Sequence, residues 1–170
     1  MSATPYPKSL ERTCFIDIFG GVYEHSPWVA EAVYPKTNQG INIASMAALM
    51  RSVVDAAPYQ DKLKLLRSHP DLAGRLHLAK LTESSRSEQA GAGLDQCTPK
   101  ELTEFEDLNA TYNDKFGFPF IFAVKGFHRT EILDAFCIRV NHDRDEEFKT
   151  AIEQVHRIAR LRLETIADES

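Results

Sequence analysis

Most apolar residues of this chain recur at spacings of three and four, the period of a helix with one buried face. Leu102, Phe105, Leu108 and Tyr112 step by three, three and four. Phe148, Ile152, Val155, Ala159 and Ile166 step by four, three, four and seven. No stretch shows the regular alternation that builds a sheet, and no internal repeat or low-complexity segment is visible. Start and stop residues frame the helical runs. Ser9 can cap a helix over residues 10–19, with Gly20-Gly21 as its stop. Ser26-Pro27 reads as a cap with proline at the first helical position, opening a short helix that Pro35 ends near Tyr34. Asn42 can cap a helix through Met46, Leu49, Met50, Val53 and Val54, stopped by Pro58. A further helix covers about residues 59–67.

Residues 71–81 contain Gly74 and no clean period, so they read as an irregular loop. Residues 82–89 are polar and helix-starting. Thr98-Pro99-Lys100-Glu101 has a cap, a proline and a glutamate at capping-box spacing, and its helix should end near Phe116-Gly117. Thr130 can cap the next helix, with Ile132, Leu133, Phe136 and Val140 on it. Asp143-Arg144-Asp145-Glu146 opens a long last helix to about Ile166. One run breaks the helical pattern. Phe118-Pro119-Phe120-Ile121-Phe122-Ala123-Val124 is continuously apolar, too short for a helix, and carries an early proline. It reads as a buried extended segment. The fold class expected is all-α: a single compact multi-helix domain over residues 9–170, with a long C-terminal helix and one buried extended segment. Residues 1–8, with two prolines, read as a flexible arm.

Composition removes several classes. A length of 170 residues fits one domain with a real core. The formal charge of −5 gives no basic surface for nucleic acid. No apolar run approaches the roughly 18 residues that would span a membrane, and residues 1–8 have no secretory pattern. Cys14, Cys97 and Cys137 are isolated and odd in number, as expected of reduced thiols in a cytosolic protein. No zinc spacing is present, so no metal is expected; His69 and His77 form no recognised ligand pattern. Gly91-Ala92-Gly93 lacks the context of a nucleotide loop, and no serine-hydrolase elbow occurs.

Four features can carry chemistry, and each has a plainer alternative. His69 follows a helical run and precedes Pro70, which biases its backbone away from the helical region. It can serve as a general acid or base, or it can cap helix-end carbonyls. Ser85-x-x-Glu88 has capping-box spacing, yet hydroxyl, carboxylate and the Gln89 amide could also grip a polar heterocycle. The apolar segment must place its amides and carbonyls somewhere, either on interior groups and water or on a ligand rich in donors and acceptors. Arg162 falls on the apolar arc of the last helix, between Ala159 and Ile166, whereas Arg157 and Arg160 lie opposite. A guanidinium there snorkels, pairs with a carboxylate, or meets an anionic ligand.

Together, His69-Pro70-Asp71-Leu72-Ala73-Gly74, Ser85-x-x-Glu88-Gln89, Asn109-x-x-Tyr112, Lys115-Phe116-Gly117-Phe118-Pro119-Phe120-Ile121 and Leu161-Arg162-Leu163 resemble the decarboxylases of 2-oxo-4-hydroxy-4-carboxy-5-ureidoimidazoline (OHCU). The resemblance runs in order from Phe15 to Ile166. It implies an all-α, cofactor-free homodimer that completes the conversion of urate to (S)-allantoin. His69 then corresponds to the catalytic histidine and Glu88 to the active-site carboxylate. Pro70, Ser85, Arg86, Ser87, Glu88, Gln89 and Arg162 match substrate contacts, as do main-chain groups of Phe120, Ile121, Phe122, Ala123 and Val124. The implied partner is the small-molecule substrate, with urate oxidase and hydroxyisourate hydrolase as pathway neighbours and no nucleic acid or membrane. Vertebrate relatives often end in a peroxisomal signal; this chain does not, so a bacterial, cytoplasmic setting is expected. Competing readings are a non-catalytic helical module for ureide or purine-like ligands, a purely structural domain, and hydroxyisourate hydrolysis.

Overall fold

The computed structural model describes residues 11–37, 42–70 and 97–169. Every regular element among them is helical, as the spacing of apolar residues predicts. In chain order these are α1 (Arg12–Phe19), α2 (Trp28–Val33), a 3-10 turn (Tyr34–Lys36), α3 (Ile43–Ala56), α4 (Tyr59–Ser68), α5 (Pro99–Phe116), α6 (Arg129–Arg139) and α7 (Arg144–Glu169). No helix among the described residues is long and apolar enough to cross a membrane. The residues form two compact units. One takes the chain up to Ser68 together with everything from His156 onward; the other runs from His69 to Val155.

The first unit buries Phe15 and Phe19 of α1 with Val29, Ala30 and Val33 of α2. It also buries Met46, Met50 and Val54 of α3 at the helical spacing of four. Asn42 caps α3 as expected, its Oδ1 accepting the Ser45 amide at 2.8 Å. Ser26 does not cap α2. Its hydroxyl turns back to donate to the Glu24 carbonyl at 2.9 Å, and Pro27 holds the cap position. Pro35 does accompany the end of α2 where expected, at Val33 beside Tyr34. It falls inside the 3-10 turn, where its missing N–H costs no hydrogen bond. From α7, Ile158, Ala159 and Leu163 join this core while Arg157 and Arg160 stay exposed.

The second unit is organised by α5. Thr98 Oγ1 accepts the Glu101 amide at 3.1 Å and Glu101 accepts the Thr98 amide at 3.0 Å, closing the capping box. Gly117 ends the helix in the left-handed conformation at φ 75°, which a residue without Cβ adopts without strain. Tyr112 sits at the centre of an aromatic cluster, with ring centroids 4.5 Å from Phe116, 5.5 Å from Phe120 and 5.8 Å from Phe136. Such ring pairs contribute about 0.5–1.5 kcal/mol each beyond their burial. Residues 118–124 form neither helix nor strand and are buried except at Phe122, which is half-buried. The α6 cap is His128, not Thr130: its Nδ1 accepts the Thr130 amide at 3.4 Å, and Glu131 accepts the His128 amide at 3.2 Å. Lys115 donates to the carbonyls of Val140 and His142 at 2.9 and 2.8 Å, satisfying groups at the far end of that helix. Asp143 caps α7 through the Glu146 amide at 2.8 Å.

Candidate active site

The chain leaves α4 at Ser68, whose hydroxyl bonds back to the Lys64 carbonyl at 2.8 Å. His69 follows in a bend and is 7% exposed; Pro70 is half-buried. The histidine therefore stands just past a helix end on a proline-stiffened turn, as its sequence context predicts. Ser85, Arg86, Ser87, Glu88 and Gln89 lie outside the described residues, as does the irregular loop expected at 71–81; α1 starts at Arg12 with Glu11 in the cap position, not at residue 10 behind a Ser9 cap.

The apolar segment gives a mixed answer to where its peptide groups go. The Ala123 amide donates to Gln154 Oε1 at 2.9 Å. The Ile121 carbonyl accepts from Arg139 Nη1 at 2.6 Å. Val124 accepts the Phe127 amide at 3.0 Å across the Lys125-Gly126 turn, where Gly126 has φ 86°. Interior side chains thus take groups at Ile121 and Ala123. Arg139 follows Ile132 and Phe136 at steps of four and three, on their buried arc, and is 6% exposed. Its partner is Glu147, fully buried, which accepts Arg139 Nε at 2.8 Å, the Tyr112 hydroxyl at 2.6 Å and His142 Nδ1 at 3.1 Å. Burial, and then the Glu147 carboxylate, push the Tyr112 phenol well above its ordinary range, so it remains a donor. The Arg139 guanidinium also lies 4.3 Å over the Phe120 ring.

Arg162 is buried at 7% exposure, where the apolar arc of α7 places it. It pairs with Glu24, Nη2 to Oε2 at 2.7 Å, and Nη1 approaches the Gly21 and Val22 carbonyls at 3.4 Å. Of the three fates open to a guanidinium on that arc, pairing with a carboxylate is present. Glu24 itself is fully buried in a turn where His25 adopts φ 48°, a conformation uncommon for a residue with a Cβ. Nothing periodic marks Glu24; its signal is a lone acid next to Val22-Tyr23 between a Gly-Gly pair and Ser-Pro. Beside it, Tyr23 and His156 share a 2.8 Å hydrogen bond at Nδ1, and His156 Nε2 lies 2.9 Å from Asp55 Oδ1. A carboxylate only accepts, so His156 Nε2 carries the proton toward Asp55.

His69 and residues 120–124 belong to the second unit, and Arg162 with Glu24 to the first. Among the described residues, no three His, Cys, Asp or Glu side chains are placed to hold a metal ion. The second unit thus holds a buried imidazole, a residue type suited to proton transfer, and the first holds a carboxylate-paired guanidinium, a group suited to anions.

The family model described as OHCU decarboxylase matches residues 8–164. A 2-oxo-4-hydroxy-4-carboxy-5-ureidoimidazoline decarboxylase of Halalkalicoccus jeotgali is 44% identical, covering 92% of this chain and 86% of that protein. The Haloferax volcanii protein of the same description is 41% identical, covering 91% and 89%. The crystal structure of an (S)-allantoin synthase superposes with a TM-score of 0.75 at 34% identity, covering 94% of this chain and 52% of that one.

Proposed function

We propose, since this chain belongs to the OHCU decarboxylase family, that it decarboxylates OHCU to (S)-allantoin without a cofactor, the last step from urate to allantoin. The observation that carries this reading is the family match across residues 8–164, which includes both His69 and Arg162. The reacting carbon bears a carboxylate and a hydroxyl. When carbon dioxide leaves, the electron pair of the broken C–C bond forms a C=C bond to the neighbouring ring carbon, and the pair of that carbon's C=N bond moves onto the ring nitrogen, which takes up a proton. The hydroxyl gives up its proton as a carbonyl forms, and a proton added to the neighbouring ring carbon sets its configuration. His69 is assigned proton transfer and Glu88 the role of active-site carboxylate. Pro70, residues 85–89, main-chain groups of residues 120–124 and Arg162 are assigned to substrate contacts. Arg162 suits an anion because its fork is already oriented by Glu24. A cytoplasmic homodimer is the setting proposed.

The test is chiral. Urate is oxidised enzymatically and the (S)-allantoin signal is followed by circular dichroism. The protein should accelerate the rise of that signal, whereas unassisted decarboxylation yields both enantiomers. A rise no faster than in buffer rejects the assignment, and allantoin binding without acceleration favours a non-catalytic ureide-binding module. His69→Asn should nearly abolish turnover while keeping the helical spectrum; near-normal activity removes His69 from the chemistry.

A further inference from the structure

Two peptide planes in the segment at 120–124 are held by side chains that sequence reading did not single out. Arg139 Nη1 donates to the Ile121 carbonyl at 2.6 Å, and Gln154 Oε1 accepts the Ala123 amide at 2.9 Å. Arg139 has little freedom to move. Its Nε and Nη2 are bound to the buried Glu147, and its carbon lies 4.3 Å over the Phe120 ring. A trans peptide unit is planar, and its carbonyl points opposite to the N–H that follows. Holding the Ile121 carbonyl therefore turns the Phe122 N–H away from Arg139. Holding the Ala123 N–H likewise turns the Phe122 carbonyl away from Gln154. Phe122 is also the half-buried residue in this otherwise buried stretch.

We propose that Arg139 and Gln154 are positioning residues that fix the direction of the Phe122 main-chain N–H and C=O, and that this donor–acceptor pair reads the adjacent C=O and N–H of a ureide or cyclic amide. The inference rests on the decarboxylase reading above. A cation on the Ile121 carbonyl also polarises the shared peptide, so the Phe122 N–H becomes a stronger donor to a substrate oxygen gaining negative charge. Neither side chain needs to touch the substrate. Each acts through a peptide plane.

Gln154 is the informative position, because removing Arg139 strands the buried Glu147 carboxylate. Gln154→Leu deletes the acceptor for the Ala123 amide, and Gln154→Glu keeps one. With OHCU generated from urate, kcat/KM of Gln154→Leu should fall about tenfold, the worth of one well-placed hydrogen bond. The excess of (S)-allantoin should fall with it, because a loosely held ring presents both faces to the proton. Gln154→Glu should restore both. If Gln154→Leu does not fold, Gln154→Ala makes the same deletion without the branched side chain. A merely structural role lowers the unfolding temperature but leaves kcat/KM and enantiomeric excess of the folded protein unchanged; that result overturns the proposal, as does failure of Gln154→Glu to restore them. If the wild-type protein itself does not accelerate (S)-allantoin formation, the decarboxylase reading fails first and takes this inference with it.

Discussion

Glu24 and Arg162 are both buried, so removing either leaves a charge without its counter-ion in an apolar setting. Glu24→Ala should destabilise the protein by about 3–5 kcal/mol, the usual cost of breaking a buried pair, read from the urea midpoint. Combining Glu24→Gln with Arg162→Met should cost less than the sum of the two single changes, because the residues are in direct contact. To separate substrate binding from this structural role, Arg162→Lys keeps a charge for Glu24 but loses the planar fork. It should fold and show a raised KM; an unchanged KM in folded protein removes Arg162 from substrate binding. At this scale the sequence was half informative. A single arginine on an apolar arc announced itself because helical geometry turns spacing into direction. Glu24 did not, because its partner lies on the last described helix and no period marks it; Arg139 does share the arc of Ile132 and Phe136, and its partner Glu147 is only eight positions on. His69 was conspicuous because proline constrains the backbone on which it sits.

Helix ends were easier to read when the capping chemistry was local. Thr98, Pro99 and Glu101 fall within four positions, and all three act at the start of α5. Thr98→Ala should lower stability by about 1 kcal/mol, the common value for a lost cap, measured by thermal unfolding. Glu101 adds a pH dependence. The Thr98 amide, and then the Arg129 guanidinium at 3.0 Å, hold its carboxyl below the usual glutamate range. Its folded pKa lies below its unfolded pKa, so its contribution is complete above the unfolded value and is lost as pH falls through the folded one. Wild type and Glu101→Gln should therefore differ in melting temperature near neutrality and converge as the solution is acidified below pH about 4. A constant difference across that range contradicts the linkage. The ends of α2 and α6 misled for opposite reasons. Ser26 spends its hydroxyl on closing a turn, and His128 caps with a ring nitrogen that composition alone does not single out. The apolar run at 118–124 was legible as buried because it is continuous. Which of its peptide groups are held internally depends on Arg139 and Gln154, which are 18 and 31 residues away from their partners.

At the scale of the whole chain, the all-α class followed from the spacing of apolar residues and the absence of alternation. The division into two compact units did not, because nothing local marks Ser68 or His156 as a boundary. The units differ in how far their polar ties reach along the chain. In the second, Tyr112 and Glu147 are 35 positions apart. In the first, Tyr23 and His156 are 133 apart, and His156 and Asp55 are 101 apart. Long loops must close before such contacts form, and contacts of that kind slow folding. Amides of α5 and α6 should thus gain protection from pulsed hydrogen exchange before those of α2 and α3. Simultaneous protection would show that the two units fold as one cooperative element. A growing chain meets the same constraint. The turn holding Glu24 is made long before its counter-ion, so that carboxylate stays solvated until α7 has been synthesised.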